Sequence, residues 1–392
     1  SYSKMRKYQK INKFEKKNIY RFLRKKEIKI YQHFLNSLYS RKYYQSQIKF
    51  IKWAYIPKFS QRILKKNELS IMGAFDKKNK KLNAIFGFNF GKIYFKKKVL
   101  NLATSFQYEN KSRVPGAAFF CFKRVSDIFD AILINGLNTK YIQSIKRYFS
   151  IKNYTKEINR KIAIINTQTT NKLFNTKKNP KLAKFIKNNE AANTYANYFL
   201  TKSIKKISEK YWPEHKKKYY FTTDKSKNFL SRRYQNHPYL NYQFIGSDEK
   251  FKNGIAVVRK EQINYLSRKK KKNYCIRILE FLPKKGYEKD LNNSIISYAH
   301  KQKVVMCDFF CSYNHVTKKS LLADFINFDK HKNKNIPYRL QPPEVTKEKS
   351  YNQIMISKHK KISNYKKNKF YSTKGDGEQD LYFVQSGLSE IL

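Results

Sequence analysis

Arg113-Val-Pro-Gly116-Ala117-Ala118, followed by an amphipathic run and then by Ala131-Ile-Leu-Ile-Asn-Gly136-Leu-Asn138, is the stretch on which the fold of this chain turns. Its order is loop, helix, buried strand, helix. A glycine stands where backbone must come close, and the small residues after it leave amide N–H groups uncovered at a helix start. The helix dipole favours an anion at such a corner. Together these features predict a phosphate cradle.

Working outward, Leu69–Phe75 and Leu82–Phe88 read as adjacent strands around the polar turn Asp76–Lys80, and 99–108 as a third. The helix after the loop runs to about residue 127. A strand at 130–134, a helix at 139–149 and a strand at 160–166 close a first unit. A Lys- and Asn-rich stretch at 167–195 reads as a polar linker. A second unit repeats the element order, with strands near 239–246, 253–259 and 274–282, a helix at 288–301, a strand at 303–310 and a helix at 316–326. Residues 1–50 carry apolar positions at helical spacing (Tyr20, Phe22, Leu23, Ile28, Ile30, Tyr31, Phe34) and read as a basic amphipathic helical segment. The expected domains are therefore 1–50, 51–166, the linker 167–195, 196–345 and a polar tail at 346–392. The fold class that follows is α+β.

Composition sets the partners. The 392 residues hold 86 Lys+Arg against 27 Asp+Glu, a formal net charge of +59. Such a potential favours polyanions, anionic headgroups or phosphorylated ligands. Lys, Asn, Ile, Tyr and Phe dominate while Gly is 11 and Pro 9, the usage of an AT-rich genome, so part of the lysine content reflects genome bias. Four cysteines (Cys121, Cys275, Cys307, Cys311) in apolar surroundings give no disulfide framework and no metal-ligand pairing. No apolar run approaches the ~18 residues of a membrane span. The expectation is a cytoplasmic protein, possible contact with the inner face of an anionic membrane included, without a metal.

The pattern Arg113-x-x-Gly116-x-Ala118 resembles the coenzyme A pyrophosphate signature of GNAT-type acyltransferases. Longer blocks are similar to a GNAT-like family of bacterial surface-polysaccharide and lipopolysaccharide gene clusters. They include Trp53, Ile85-Phe-Gly-Phe88, Arg233-Tyr234-Gln-Asn-His237-Pro238, Ile276-Arg-Ile-Leu-Glu280, Asp308-Phe-Phe and Lys374-Gly-Asp-Gly377. That family carries an Arg-Tyr-x-x-His-Pro segment and ends in Lys-Gly-Asp-Gly-Asp-Gln-Asp. The resemblance implies two GNAT-like units in tandem and an acyl-CoA-dependent transferase modifying an amino sugar, nucleotide-linked or lipid-linked. Arg113, Gly116, Ala117, Ala118 and Asn138 would hold the acyl-CoA, and Arg233, Tyr234 and Tyr242 the acceptor. Acyl transfer to an amine needs a base and an oxyanion donor. His237, Glu280 and Asp308 are the candidate bases, and strand amides near Phe106–Tyr108 the candidate donors. The position where many such enzymes keep a proton-donating Tyr is Ile145 here, and the Gly-Phe that usually closes that helix is Phe149-Ser150. The rival class is a basic, RNA-binding structural protein, for example an organellar ribosomal component.

Overall fold

The computed structural model describes residues 16–39, 44–56, 63–95, 98–111, 116–135, 155–173, 176–263, 273–312, 326–327, 351–357, 359 and 370–377. The first half runs β1 (Asn18–Arg24), α1 (Ile28–Leu38), α2 (Ile48–Tyr55), β2 (Glu68–Asp76), β3 (Leu82–Phe95), β4 (Lys98–Asn110), α3 (Ala117–Ile128) and β5 (Ala131–Asn135). β1 to β4 pair antiparallel in order, and β5 lies parallel to β4. A parallel neighbour requires a crossover, which α3 supplies.

β6 (Thr155–Ile164) is followed by α4 (Thr167–Leu173), α5 (Pro180–Lys187), β7 (Phe199–Thr201), α6 (Tyr211–Lys218), β8 (Phe221–Thr223) and α7 (Lys227–Leu230). α7 runs into a π turn at Ser231–Gln235. Then come β9 (Gln243–Gly246), β10 (Gly254–Ile263), β11 (Asn273–Pro283), α8 (Glu288–Lys301), β12 (Met306–Cys311), β13 (Ile326–Asn327), β14 (Tyr351–Ser357) and β15 (Phe370–Tyr371). The first half's grammar returns here: β9, β10 and β11 are antiparallel, α8 crosses over, and β12 is parallel to β11. Among the described residues one path runs β1-β2-β3-β4-β5-β14-β6-β12-β11-β10-β9-β7; off it, β13 pairs with β6, and β8 pairs with β3 and β15. The fold is α+β: two mixed sheets, each flanked by helices, joined where β14 pairs with both β5 and β6.

Amphipathicity assigns the layers. α3 buries Ala117, Ala118, Phe120, Cys121, Phe122 and Val125 against one sheet face made of Met72, Ala84, Phe86, Phe88 and Ala103. Each fully buried Phe stabilises the fold by about 1.5–3 kcal/mol. α1 and α2 cover the opposite face through Tyr31, Phe34, Leu35, Phe50 and Tyr55, against Ile71, Ile85 and Phe106.

Three segments differ from the sequence expectation. Asn18–Arg24 is a strand paired to β2, not helix, and among the described residues the α-helices of this region are 28–38 and 48–55. Within 167–195, α4 and α5 are helices, and α5 buries Leu182 and Ile186 against β6 and Met306 of β12. The tail supplies β14 and β15 to the sheet. The helices expected at 139–149 and 316–326 lie outside the described residues, apart from Ile326.

Candidate functional site

The helix expected after the loop starts at Ala117, with Gly116 as its N-cap at φ +87°. That is the left-handed region, in which an L side chain is strained. Among the described residues a Cβ added there would meet nothing within 4 Å. No acidic residue sits in the first turn and no side chain caps it at Gly116. One amide is taken: Ala118 N–H donates to Asn110 Oδ1 at 3.2 Å. Gly116 is exposed while Ala117 and Ala118 are buried, so the positive end of the helix dipole meets solvent at Gly116. Arg113 and Asn138 lie outside the described residues.

Beside this corner the sheet opens. Among the described residues β5 pairs with β4 through Leu102–Thr104, while β4 runs on to Asn110 and β5 pairs on its other side with β14. Two residues past Thr104 β4 bulges, because Gly87 faces Gln107 and Phe88 faces Ser105, which leaves Phe106 as the extra residue on β4. Bulges re-aim backbone groups and are common at active sites. The bulge falls within Phe106–Tyr108, where the oxyanion donor was expected. Three residues on, Glu109 was missed by the sequence reading. Tyr39 Oη, at the end of α1, and Gln107 Nε2 (2.6 Å) both donate to Glu109 Oε1. Burial pushes the Glu109 carboxyl up, against the pull of these two donors. Glu109 is the one acid in β4, and that was the available signal.

The second half repeats the opening and fills it. β12 leaves β11 after Ile278, and Leu279 is the bulged residue, since Glu280 faces Val257 and Ile278 faces Val258. The extra residue shifts the alternation, so Arg277 and Glu280 fall on one face. The segment Phe370–Gly377 occupies the gap. Cys311 bridges to Thr373, and Phe281 N–H donates to Tyr371 Oη at 3.2 Å. The turn Lys374–Gly377 packs against β4, β5 and β11 together.

This segment and the Arg-Tyr-x-x-His-Pro block meet in a buried network. Lys225 Nζ reaches Glu280 Oε1 at 2.5 Å and Asp376 Oδ1 at 2.8 Å. Tyr234 Oη (2.7 Å), Tyr371 Oη (3.2 Å) and Thr373 Oγ1 (3.1 Å) also donate to Glu280. Arg233 Nε donates to Gly375 O at 2.8 Å and Nη1 to Tyr242 Oη at 3.4 Å. At Gly375 a Cβ would fall 2.1 Å from Tyr234 Oη, so only glycine fits. Burial raises Glu280, opposed by the Lys225 ammonium. Burial lowers Lys225, yet its two carboxylates outweigh that and leave it raised. Farther along the same face Asp308 is gripped by Arg160 Nη2 (3.0 Å) and Arg277 Nη1 (2.5 Å). Arg277 also binds Glu261 at 2.7 Å; burial pushes it down, but Asp308 and Glu261 hold it well above the usual range.

The three candidate bases therefore do not converge on one point. Glu280 and Asp308, 0% and 1% exposed, are ion-paired braces in separate clusters. His237 Nδ1 accepts from Tyr239 N (3.2 Å) and Leu240 N (2.9 Å), so the neutral ring carries its proton on Nε2. Its ring lies 4.5 Å from Trp53, whose Nε1 donates to Arg232 O at 3.0 Å. This ties α2 to the π turn. Arg233, Tyr234 and Tyr242 are brought together, all buried.

His215 was not singled out in the sequence. It is boxed by Trp212, Tyr219 and Tyr371 at 5.9, 4.8 and 4.5 Å, and its Nε2 has no hydrogen bond among the described residues. Burial, helped by Lys225 and Lys218, pushes its pKa well below 6.5. Below pH 6.5 the unfolded chain takes up a proton that the folded one refuses, so stability falls as pH falls. The expected slope is about 1.4 kcal/mol per pH unit below ~6.5. Urea titrations of wild type and His215→Phe from pH 7 to 5 check this, since the variant lacks that component.

Among the described residues no helix is long and apolar enough to cross a membrane, and no group of three or more His, Cys, Asp or Glu is placed to hold a metal.

No family model matches the chain, and no curated protein matches it. Among solved structures it is similar to a conserved protein of unknown function from Enterococcus faecalis V583, described as a probable N-acyltransferase. Identity there is 9% and the TM-score 0.47, over 74% of this chain and 64% of that one. It is also similar to Saccharomyces cerevisiae N-myristoyltransferase with bound myristoyl-CoA, at 11% identity and TM-score 0.46, over 86% and 82%. A structure of the same yeast enzyme with myristoyl-CoA and inhibitors gives 11% and 0.47, over 87% and 80%. The chain spans 64% of the length of the Enterococcus protein. Likeness at this level fixes neither chemistry nor substrate.

Proposed function

We propose that the chain is an acyl-CoA-dependent N-acyltransferase whose coenzyme lies along the first half, with its diphosphate at the start of α3 and its thioester in the β4/β5 opening. The observation that carries this reading is the exposed helix corner at Gly116 beside a strand bulge at Phe106. Backbone N–H groups at the one would hold phosphate oxygens, and amides within Phe106–Tyr108 would meet the thioester oxygen.

The second half is a poor alternative seat. At its equivalent corner Gly286 N–H donates to Glu288 Oε2 (2.8 Å) and Lys285 N–H to Glu214 Oε2 (3.2 Å), so carboxylates already occupy the anion position. Its strand opening is bridged by Phe370–Gly377, whose turn also reaches β4 and β5. In the first half Glu109 is the carboxylate placed to take the amine proton. The acceptor, an amino sugar of surface-polysaccharide biosynthesis carried on a nucleotide or lipid, is supported by the sequence blocks alone.

Calorimetry with acetyl-CoA tests the reading. Gly116→Glu puts a carboxylate and a strained backbone into the corner and should weaken binding about a hundredfold or more. Absence of binding by micromolar wild-type protein sinks the reading. The net charge of +59 favours one rival, an RNA-binding structural protein; co-purification of RNA through a high-salt wash, with a steep salt slope, would identify it.

A further inference from the structure

The inference rests on the coenzyme reading and concerns what lies next to the Gly116 corner. In an antiparallel sheet, the end of β4, the start of β3, the end of β2 and the start of β1 share one edge. α3 runs back from the end of β4, so it begins at that edge too. Named contacts confirm the juxtaposition. Ala118 N–H donates to Asn110, Lys111 N–H to Asn83 O (2.9 Å), Asn83 Nδ2 to Asn18 Oδ1 (3.0 Å) and Lys77 N–H to Lys17 O (3.1 Å). Tyr20 of β1 sits on Phe120 of α3, ring centroids 5.9 Å apart.

The β2–β3 turn and the lead-in to β1 place Lys16, Lys17, Lys77, Lys78, Lys80 and Lys81 at this edge, all exposed. The carboxylate within the turn is Asp76. Its Oδ1 accepts from Lys78 N (2.8 Å) and Asn79 N (3.0 Å), bonds that hold its pKa below the ordinary range. Asp76 therefore shapes the turn, and the Lys78 and Lys17 charges act on its carboxylate. Lys80, at φ +59°, closes the turn and sets its Nζ on Lys77 O at 2.8 Å. Lysine is abundant throughout the chain, so charge alone would mean little; position beside the Gly116 corner is what distinguishes this group. Flexible ammonium groups suit a mobile, doubly charged phosphate better than a planar carboxylate.

We propose that the lysine-rich Asp76–Lys81 turn, with Lys16 and Lys17, is a second phosphate seat that holds the ribose phosphate of a coenzyme A whose diphosphate lies at the start of α3. The seat selects the phosphorylated coenzyme over its 3′-dephospho form. Binding of acetyl-CoA and of 3′-dephospho-acetyl-CoA is measured by calorimetry at low salt, for wild type and for Lys77→Gln/Lys78→Gln/Lys80→Gln/Lys81→Gln. The four residues are exposed, and an unchanged thermal midpoint confirms the variant's fold. Wild type should lose about ten- to a hundredfold in affinity when the phosphate is removed. The variant should bind both forms within about threefold of each other, and the wild-type difference should shrink as salt rises. Equal binding of both forms by wild type, or an undiminished ratio in the variant, overturns the seat and leaves the coenzyme reading standing. If neither form binds wild type, the coenzyme reading falls and the seat falls with it.

Discussion

Lys225→Met should destabilise the protein by about 3–5 kcal/mol near neutral pH, the usual cost of breaking a fully buried ion pair by removing one partner. Lys225 is 0% exposed and is the ammonium shared by Glu280 and Asp376. Methionine nearly matches its shape but leaves two carboxylates in a dry interior, anchored by Tyr234, Tyr371, Thr373 and Thr223. Burial already raises Glu280, and without the ammonium it should rise further and take a proton. The loss measured by urea unfolding should therefore be smaller at pH 5 than at pH 7.5. Glu280→Gln added to Lys225→Met should recover part of it, because the pair does not act additively. A deficit under about 1 kcal/mol would show that water or rearrangement already compensates the site.

The same network shows what the sequence could and could not reveal. Blocks distant in the chain, Arg233-Tyr234 and Lys374–Gly377, looked like separate signatures, yet they meet because Arg233 donates to Gly375 O and Tyr234 fills the space above Gly375. Strands and helices with local periodicity were legible: β2 to β5, α3, β9 to β12 and α8 lie within a few residues of expectation, β3 running longer and β9 starting later. Elements defined by distant partners were not. Asn18–Arg24 mixes apolar residues at both spacings, and pairing with β2 decides for strand, where Leu23 packs above Gly73. β14 carries a short continuous apolar run, Ile354-Met355-Ile356, but its place between β5 and β6 depends on residues roughly 190 to 230 positions away. α5 did announce itself: Asn179 caps Leu182 N–H at 3.1 Å ahead of Pro180, the usual order at a helix start. Lysine content hid that signal under a linker-like composition. For the candidate site, the Gly116 corner was readable from local residue types, whereas the roles of Glu280 and Asp308 depended on cations far off in sequence, Lys225 and Arg160.

Glu109→Gln should lower kcat by about 10²–10⁴-fold with acetyl-CoA affinity unchanged, the range for removing a general base. Glu109 sits three residues past the Phe106 bulge, on the sheet face covered by α1, and its Oε1 accepts from Tyr39 and Gln107. Burial raises its pKa, which strengthens it as a base while keeping it ionised only above a raised threshold. The acid limb of the wild-type pH–rate profile should then lie above the ordinary carboxylate value of about 4.3. Tyr39→Phe removes a donor that favours the ionised form and should move that limb further up. The stability sign runs the other way. A buried acid with a raised pKa binds more protons folded than unfolded, so ionising it costs stability as pH rises through that window. Glutamine should leave the fold equally stable or more so above it, while removing turnover. A merely structural Glu109 would show the reverse pairing, with loss of thermal midpoint and little change in kcat. Activity and stability measured on one preparation therefore decide between catalytic and supporting roles, independently of which amine is the acceptor.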